Sequence, residues 1–291
     1  MINALKFSTD IKMSFINKEN RLLDSYRAKL DLRNKIKFER RFEKQMTPML
    51  SKIVKNAKAQ FKAESYKIDT TLWNRVFAKL LSDHYQNVSA LFSRNLENQL
   101  GVYVGPRNRK IIEDKLIEYF TNEVKKTADE LVKATIQNAR FAKKVALDKK
   151  QEREENQKEM TERELVAVFG NVFRTRLYRR KKTISMTETQ KAAEKSKYIE
   201  YLVSQSSDTI DDDIPVVSSI KGEKDWYAVL DNVTRESHVI ADHTQRNIPI
   251  GQAYRVGKSR MMFPGDRSLG ASAKEIINCR CISLYKPKKS A

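Results

Sequence analysis

Backbone breakers are distributed so unevenly along this chain that they divide it in two. Between residues 1 and 214 only Pro48, Gly101, Gly105, Pro106 and Gly170 can interrupt regular structure, whereas residues 215–291 hold nine glycines and prolines. These are the strongest local punctuators, so the front can form long helices and the rear must turn often. Charge divides at nearly the same place. Residues 1–200 carry 44 Lys/Arg against 26 Asp/Glu, a balance of +18, and residues 201–291 carry 13 against 11, a balance of +2, together the net +20 of the chain. A basic helical front predicts a polyanionic partner, because neutralising phosphates releases counterions and steers encounter from a distance. The plain alternative is a solvated, Lys-rich helix surface.

Two apolar stripes run through the front. Val76, Leu80, His84, Val88 and Phe92 recur every four residues, as do Ile112, Leu116, Phe120, Val124, Ala128 and Leu131 around the same period. Both predict amphipathic helices, with "GVYVGP" at 101–106 as the turn between them. The second can run on through "FAKKVALDKKQEREENQ", and ~40 residues at 1.5 Å each make a rod of about 60 Å that needs partner helices. His84, on an apolar stripe, is expected to be a hydrogen-bonded core residue. Thr161 with Glu164, and Ser185 with Glu188, have the spacing of capping boxes and predict two further helices.

Between those boxes lies the densest positive cluster, "RTRLYRRKK": Arg174, Arg176, Arg179, Arg180, Lys181 and Lys182, with Tyr178 inside it. Cations on successive turns can follow phosphates, and a tyrosine can stack on a base or pack under the arginines. They can equally decorate a helix C-terminus, where the dipole favours them. DNA or RNA, bound without sequence preference, is the expected ligand.

"SSDTIDDDIP" at 206–215 reads as an acidic linker, giving a basic α-helical domain over 1–205 and a small α+β domain over 216–291. The fold class expected is thus mainly α, long amphipathic helices followed by a small α+β C-terminal domain. "QAYRVGKSRMMF" offers two short strands around Gly257, "SAKEII" a short helix and "CISLY" a last strand. Two cysteines cannot supply a disulfide framework, and no apolar run opens the chain or approaches a bilayer span. A reducing cytoplasm and no membrane partner are expected.

Both cysteines, Cys279 and Cys281, and two of the three histidines, His238 and His243, fall within 44 residues. Two imidazoles and two thiolates are zinc ligands by type, yet Cys-x-Cys is shorter than the usual ligand spacing. The bland reading makes "INCRC" a closing strand whose cysteines pack inward near His238, with Arg280 pairing with Asp231, Asp242 or Asp266. Asp231 and Arg235 have the spacing of an ordinary ion pair. A nucleophile elbow, phosphate loop or HExxH helix is not recognisable, so catalysis is not expected.

Three ordered segments carry a family resemblance. "ISMTETQKAAEKSKY" at 184–198 contributes Thr187 and Glu188, "WYAVLDNVTRESHVIAD" at 226–242 contributes Trp226, Asp231, Arg235, His238 and Asp242, and "FPGDRSLGASAKEIINCRC" at 263–281 contributes Pro264, Gly265, Asp266, Cys279, Arg280 and Cys281. Over roughly residues 164–285 the chain resembles the phage head morphogenesis proteins that include the Mu F-like minor head proteins. His243 departs from the Asp-Gly usual there, which argues against a requirement for its imidazole. The resemblance implies a minor virion constituent, incorporated into the procapsid near the portal, contacting portal or capsid proteins and packaged DNA. It implies the head interior as its place, and the host cytoplasm during assembly. A general nucleic-acid-binding module and a metal-dependent or cysteine hydrolase are the alternatives. Zinc at His238, Cys279 and Cys281 is the one cofactor the residues suggest.

Overall fold

A computed structural model describes residues 2–61, 68–205 and 222–287. Five long helices come first: α1 (Ile2–Gln60), α2 (Thr71–Leu100), α3 (Pro106–Glu155), α4 (Glu162–Arg179) and α5 (Lys181–Ser204). The rear contains β1 (Gly222–Tyr227), α6 (Glu236–Thr244), β2 (Ile248–Pro249), β3 (Tyr254–Val256), β4 (Ser259–Met261), α7 (Ala273–Ile276) and β5 (Ile282–Pro287). The chain is therefore mainly helical, with a small α+β region at its C-terminal end. The acidic stretch 206–215 lies outside the described residues.

The predicted helices stand where the stripes put them. Pro106 occupies the first turn of α3, where a missing N–H costs nothing. Gly101 closes α2 in the left-handed conformation, its N–H bonded to Glu97 O. At 50 residues α3 is longer than expected. Pro48 sits inside the 59-residue α1 without ending it. The bundle core joins Phe42, Trp73, Phe77, Phe92, Phe120, Phe169 and Phe173 from four helices, all nearly inaccessible. Burying one such side chain contributes about 1.5–3 kcal/mol, so the front has an ample core of its own.

The Thr161 capping box is present in full: the Thr161 hydroxyl accepts from Glu164 N, and the Glu164 carboxylate accepts from Thr161 N. The second box is absent. Only Arg180, in helical geometry, separates α4 from α5, so α5 is already running when the chain reaches Ser185. Ser185 instead donates to Lys182 O and Glu43 Oε1, and Glu188 turns to Tyr85 and Lys191.

In the rear, the antiparallel sheet has the order β2-β1-β5, and β3 and β4 form the predicted hairpin. Gly257, at φ +57° in its two-residue turn, supplies the positive φ that a type II′ turn needs at its first central position. The outer edge of β5 is covered by side chains of α5 and α1 rather than by another strand. Ser283 N donates to Glu194 Oε2 at 2.9 Å, while Ser283 O accepts from Lys197 Nζ at 3.1 Å. Cys281 O accepts from Gln190 Nε2 at 2.7 Å and Lys35 Nζ at 3.3 Å. An otherwise open edge is thereby satisfied within the chain.

Candidate functional site

Helix α5 is the element on which the rear region is built. Glu188, Lys191, Glu194, Lys197 and Glu200, spaced by three, are all buried. Lys35 and Lys197 both reach Glu194 Oε1, at 2.6 and 2.9 Å, and Lys197 also meets Asp31 at 2.8 Å. Two lysines and two carboxylates make this cluster neutral, which is what permits its burial. Glu188 bonds to Tyr85 Oη at 2.5 Å and Lys191 at 2.8 Å, and Glu200 pairs with Arg109 at 3.0 Å. His84 is the core residue expected: its Nε2 lies 2.9 Å from Thr189 Oγ1 and its ring stacks on Phe42. Burial lowers its pKa to about 3.

The first and third segments of the resemblance meet on this platform, and the second joins them through His238, beside Cys281. Thr187 Oγ1 accepts from Asn278 N at 3.3 Å, beside the cysteines. Pro264 O accepts from Gln190 Nε2, and a Cβ on Gly265, at φ +91°, would stand 3.3 Å from Gln190 Cγ. Asp266 is buried and holds its own loop through Met262 N and Ser268 N, each at 2.8 Å. "FPGD" is therefore a buried docking loop, followed by exposed residues 268–270. Arg267 ties it further to the bundle through Glu130.

Around His238 the geometry is tight. Its Nδ1 lies 3.2 Å from Cys281 Sγ and 3.8 Å from Cys279 Sγ, and its Nε2 lies 3.0 Å from Glu275 Oε2. All four side chains are buried. Trp226 packs edge-on to the imidazole at 5.5 Å, and its buried indole N–H makes no hydrogen bond. Cys279 and Cys281 flank Arg280 just before β5, after Asn278 in the left-handed conformation. "INCRC" is thus a turn entering the strand rather than the strand itself, which lets both sulfurs approach one imidazole. The thiols are free. A hydrogen bond from Cys281 is the main influence lowering the pKa of Cys279, against burial and with His238 adding to it. Burial, then the hydrogen bond with Cys279 and its charge, pushes Cys281 up. Burial acts downward on His238, but Cys279 and Glu275 outweigh it and the net shift is upward.

The remaining candidates have structural partners. Arg280 pairs with Asp231, one of its three proposed partners, whose carboxylate also accepts from Thr234 Oγ1 at 2.8 Å. Arg235 does not pair with Asp231: it precedes α6 and donates to Ile277 O, because Asp231 is already taken. Asp242 accepts from Ala228 N at 2.8 Å and pairs with Arg246 at 2.9 Å. His243 is exposed on α6, apart from the cluster.

The basic cluster closes α4 and opens α5. Arg174, Arg176, Arg179 and Lys182 are exposed, whereas Arg180 and Lys181 are half-buried. Arg176 lies 3.9 Å over the Phe141 ring and donates to Asn138 Oδ1. Tyr178 is tied to α1: it donates to Thr47 O at 3.1 Å, with Lys181 Nζ 5.0 Å from its ring centroid. The alternating buried charges of α5 were the functional framework that sequence reasoning missed, although their three-residue spacing is plain in the sequence.

Comparison with family models, with curated proteins and with solved structures finds no match. Among the described residues, no helix is long and apolar enough to cross a membrane.

Proposed function

We infer that this chain is a minor head protein of a tailed bacteriophage, akin to the Mu F-like head morphogenesis proteins that its sequence resembles. It enters the procapsid near the portal, presents its basic helices to double-stranded DNA and uses its rear region for contacts with portal or capsid proteins. The observation that carries this reading is convergence. Residues that bear the resemblance, from Thr187 to Cys281, are spread over three segments, yet Pro264, Gly265 and Cys281 of the third pack beside Gln190 on α5, Thr187 of the first accepts from Asn278 N, and His238 of the second lies against Cys281. A chance resemblance gives no reason for its parts to pack together.

Two further features fit the assigned roles. Arg174, Arg176, Arg179 and Lys182 offer exposed positive charge to phosphates. The rear region shows Leu230, Val233 and Ile240 to solvent at 61, 70 and 54 %, an apolar surface suited to a protein partner. The composition of purified procapsids and mature heads tests the reading. The intact protein is expected in both, and Leu230→Ser with Val233→Ser and Ile240→Ser is expected to deplete it from procapsids while preserving its helical content. Absence of the wild-type protein from both particles would reject the virion role.

The four exposed cations also favour a second reading, a general DNA-binding module with no head partner. Salt-dependent DNA binding by a protein absent from both particles would select it.

A further inference from the structure

We propose that His238, Cys279 and Cys281 form a zinc site, with Nδ1 and two thiolates as ligands and the fourth corner open to a small pocket. Zinc–sulfur bonds of about 2.3 Å and zinc–nitrogen bonds of about 2.0–2.1 Å, set tetrahedrally, hold nitrogen and sulfur about 3.6 Å apart. The two N···S separations here, 3.2 and 3.8 Å, bracket that value, and all three ligand atoms lie within 4.8 Å of one another. Two thiolates neutralise the charge of the dication itself. Cys-x-Cys, too short for the usual zinc spacing, reaches this geometry because it lies in a turn and not on the strand.

The buried carboxylate behind His238, Glu275 Oε2 at 3.0 Å from Nε2, is a second and independent observation. Buried Glu275 receives Nε2–H, which leaves the Nδ1 lone pair facing two sulfurs. A carboxylate behind a histidine is the arrangement that orients metal-ligating imidazoles and raises their basicity. Ser237 Oγ, donating to the same Glu275 oxygen at 2.8 Å, fixes the carboxylate in turn. Trp226 packs edge-on to the same imidazole, with ring centroids 5.5 Å apart.

Among the described residues no fourth histidine, cysteine or carboxylate joins the group. Instead the cluster borders a pocket of about 20 Å³, lined also by Asp231, Thr234, Arg235 and Asn278. That volume accommodates one water molecule, and the polar lining can hold it. The site thus has three protein ligands and one solvent position, joining α6 to the turn before β5.

Titration of the reduced, chelator-stripped full chain with cobalt(II), followed by zinc(II), tests this. About one cobalt per chain should bind, with a tetrahedral visible spectrum and a thiolate-to-metal charge-transfer band that zinc abolishes. Cys279→Ser with Cys281→Ser should remove the band. Glu275→Gln keeps every ligand and should weaken cobalt binding about 10–100-fold with unchanged circular dichroism. Folded wild-type protein that shows no band in excess cobalt overturns the proposal, as does a band undiminished in the double serine variant. Wild-type affinity in Glu275→Gln would overturn the assignment of Nδ1 as the ligand.

Discussion

Replacing Glu194 by glutamine tests whether α5 is held to the rear region by charge balance. One oxygen of Glu194 receives Lys35 and Lys197, the other receives Ser283 N–H, and Lys35, Lys197 and Glu194 are at most 1 % exposed. With Asp31 the group sums to zero, and the amide leaves it at +1 in a place closed to water. The amide also has only one acceptor atom. If it stays with the lysines, its NH₂ opposes Ser283 N–H, and a buried donor left unpaired costs about 1–3 kcal/mol. Breaking a buried ion pair by removing one partner costs about 3–5 kcal/mol in all. Urea unfolding at neutral pH, followed by circular dichroism and tryptophan fluorescence, should register that loss. The exposed pair Lys79–Asp83 provides the control, and Lys79→Met should change stability by less than about 1 kcal/mol. Lys35→Met combined with Glu194→Gln should cost less than the sum of the single changes, because it restores neutrality. A Glu194→Gln cost below about 1 kcal/mol, or strict additivity in the double variant, would refute the account.

Three further outcomes follow from particular residues. Neutralising Arg174, Arg176, Arg179 and Lys182 should reduce the slope of log K against log salt for duplex DNA by up to about 3.6, at about 0.9 per phosphate contact, in a filter or anisotropy titration; an unchanged slope assigns the cluster to other work. Burial depresses Lys224, which donates to Met262 O, to a pKa of about 7 from 10.5. The folded chain then binds fewer protons than the unfolded chain between those values, so stability should rise with pH from 7 toward 10.5, and Lys224→Met should flatten that rise in urea midpoints. Thr161→Ala should destabilise by about 1 kcal/mol through loss of its cap, whereas Thr161→Ser should be nearly neutral by thermal melting.

Local features were legible because they depend on neighbours in the chain. The stripes of α2 and α3, the Thr161 cap, the Gly257 hairpin and the short α7 each follow from residues a few positions apart. So does the contrast between a helical front and a turn-rich rear. The fate of α5 was not of this kind. Glu188, Lys191, Glu194, Lys197 and Glu200 alternate in sign at a three-residue spacing that suits either a solvated helix or a buried one. What buries them is compensation from elsewhere: Asp31, Lys35, Arg109 and Glu123 arrive from α1 and α3. The same limit explains the loop and the turn. "FPGD" has the composition of an exposed loop but fills the groove beside Gln190, and "INCRC" has strand-like residues but bends at Asn278. The sequence by itself determined the helices, the breakers, the charge and the presence of a Cys/His group. Only the tertiary structure decided that this group would face Glu275 and that α5 would become the shared core, because neutralising a buried charge requires partners that local sequence does not contain.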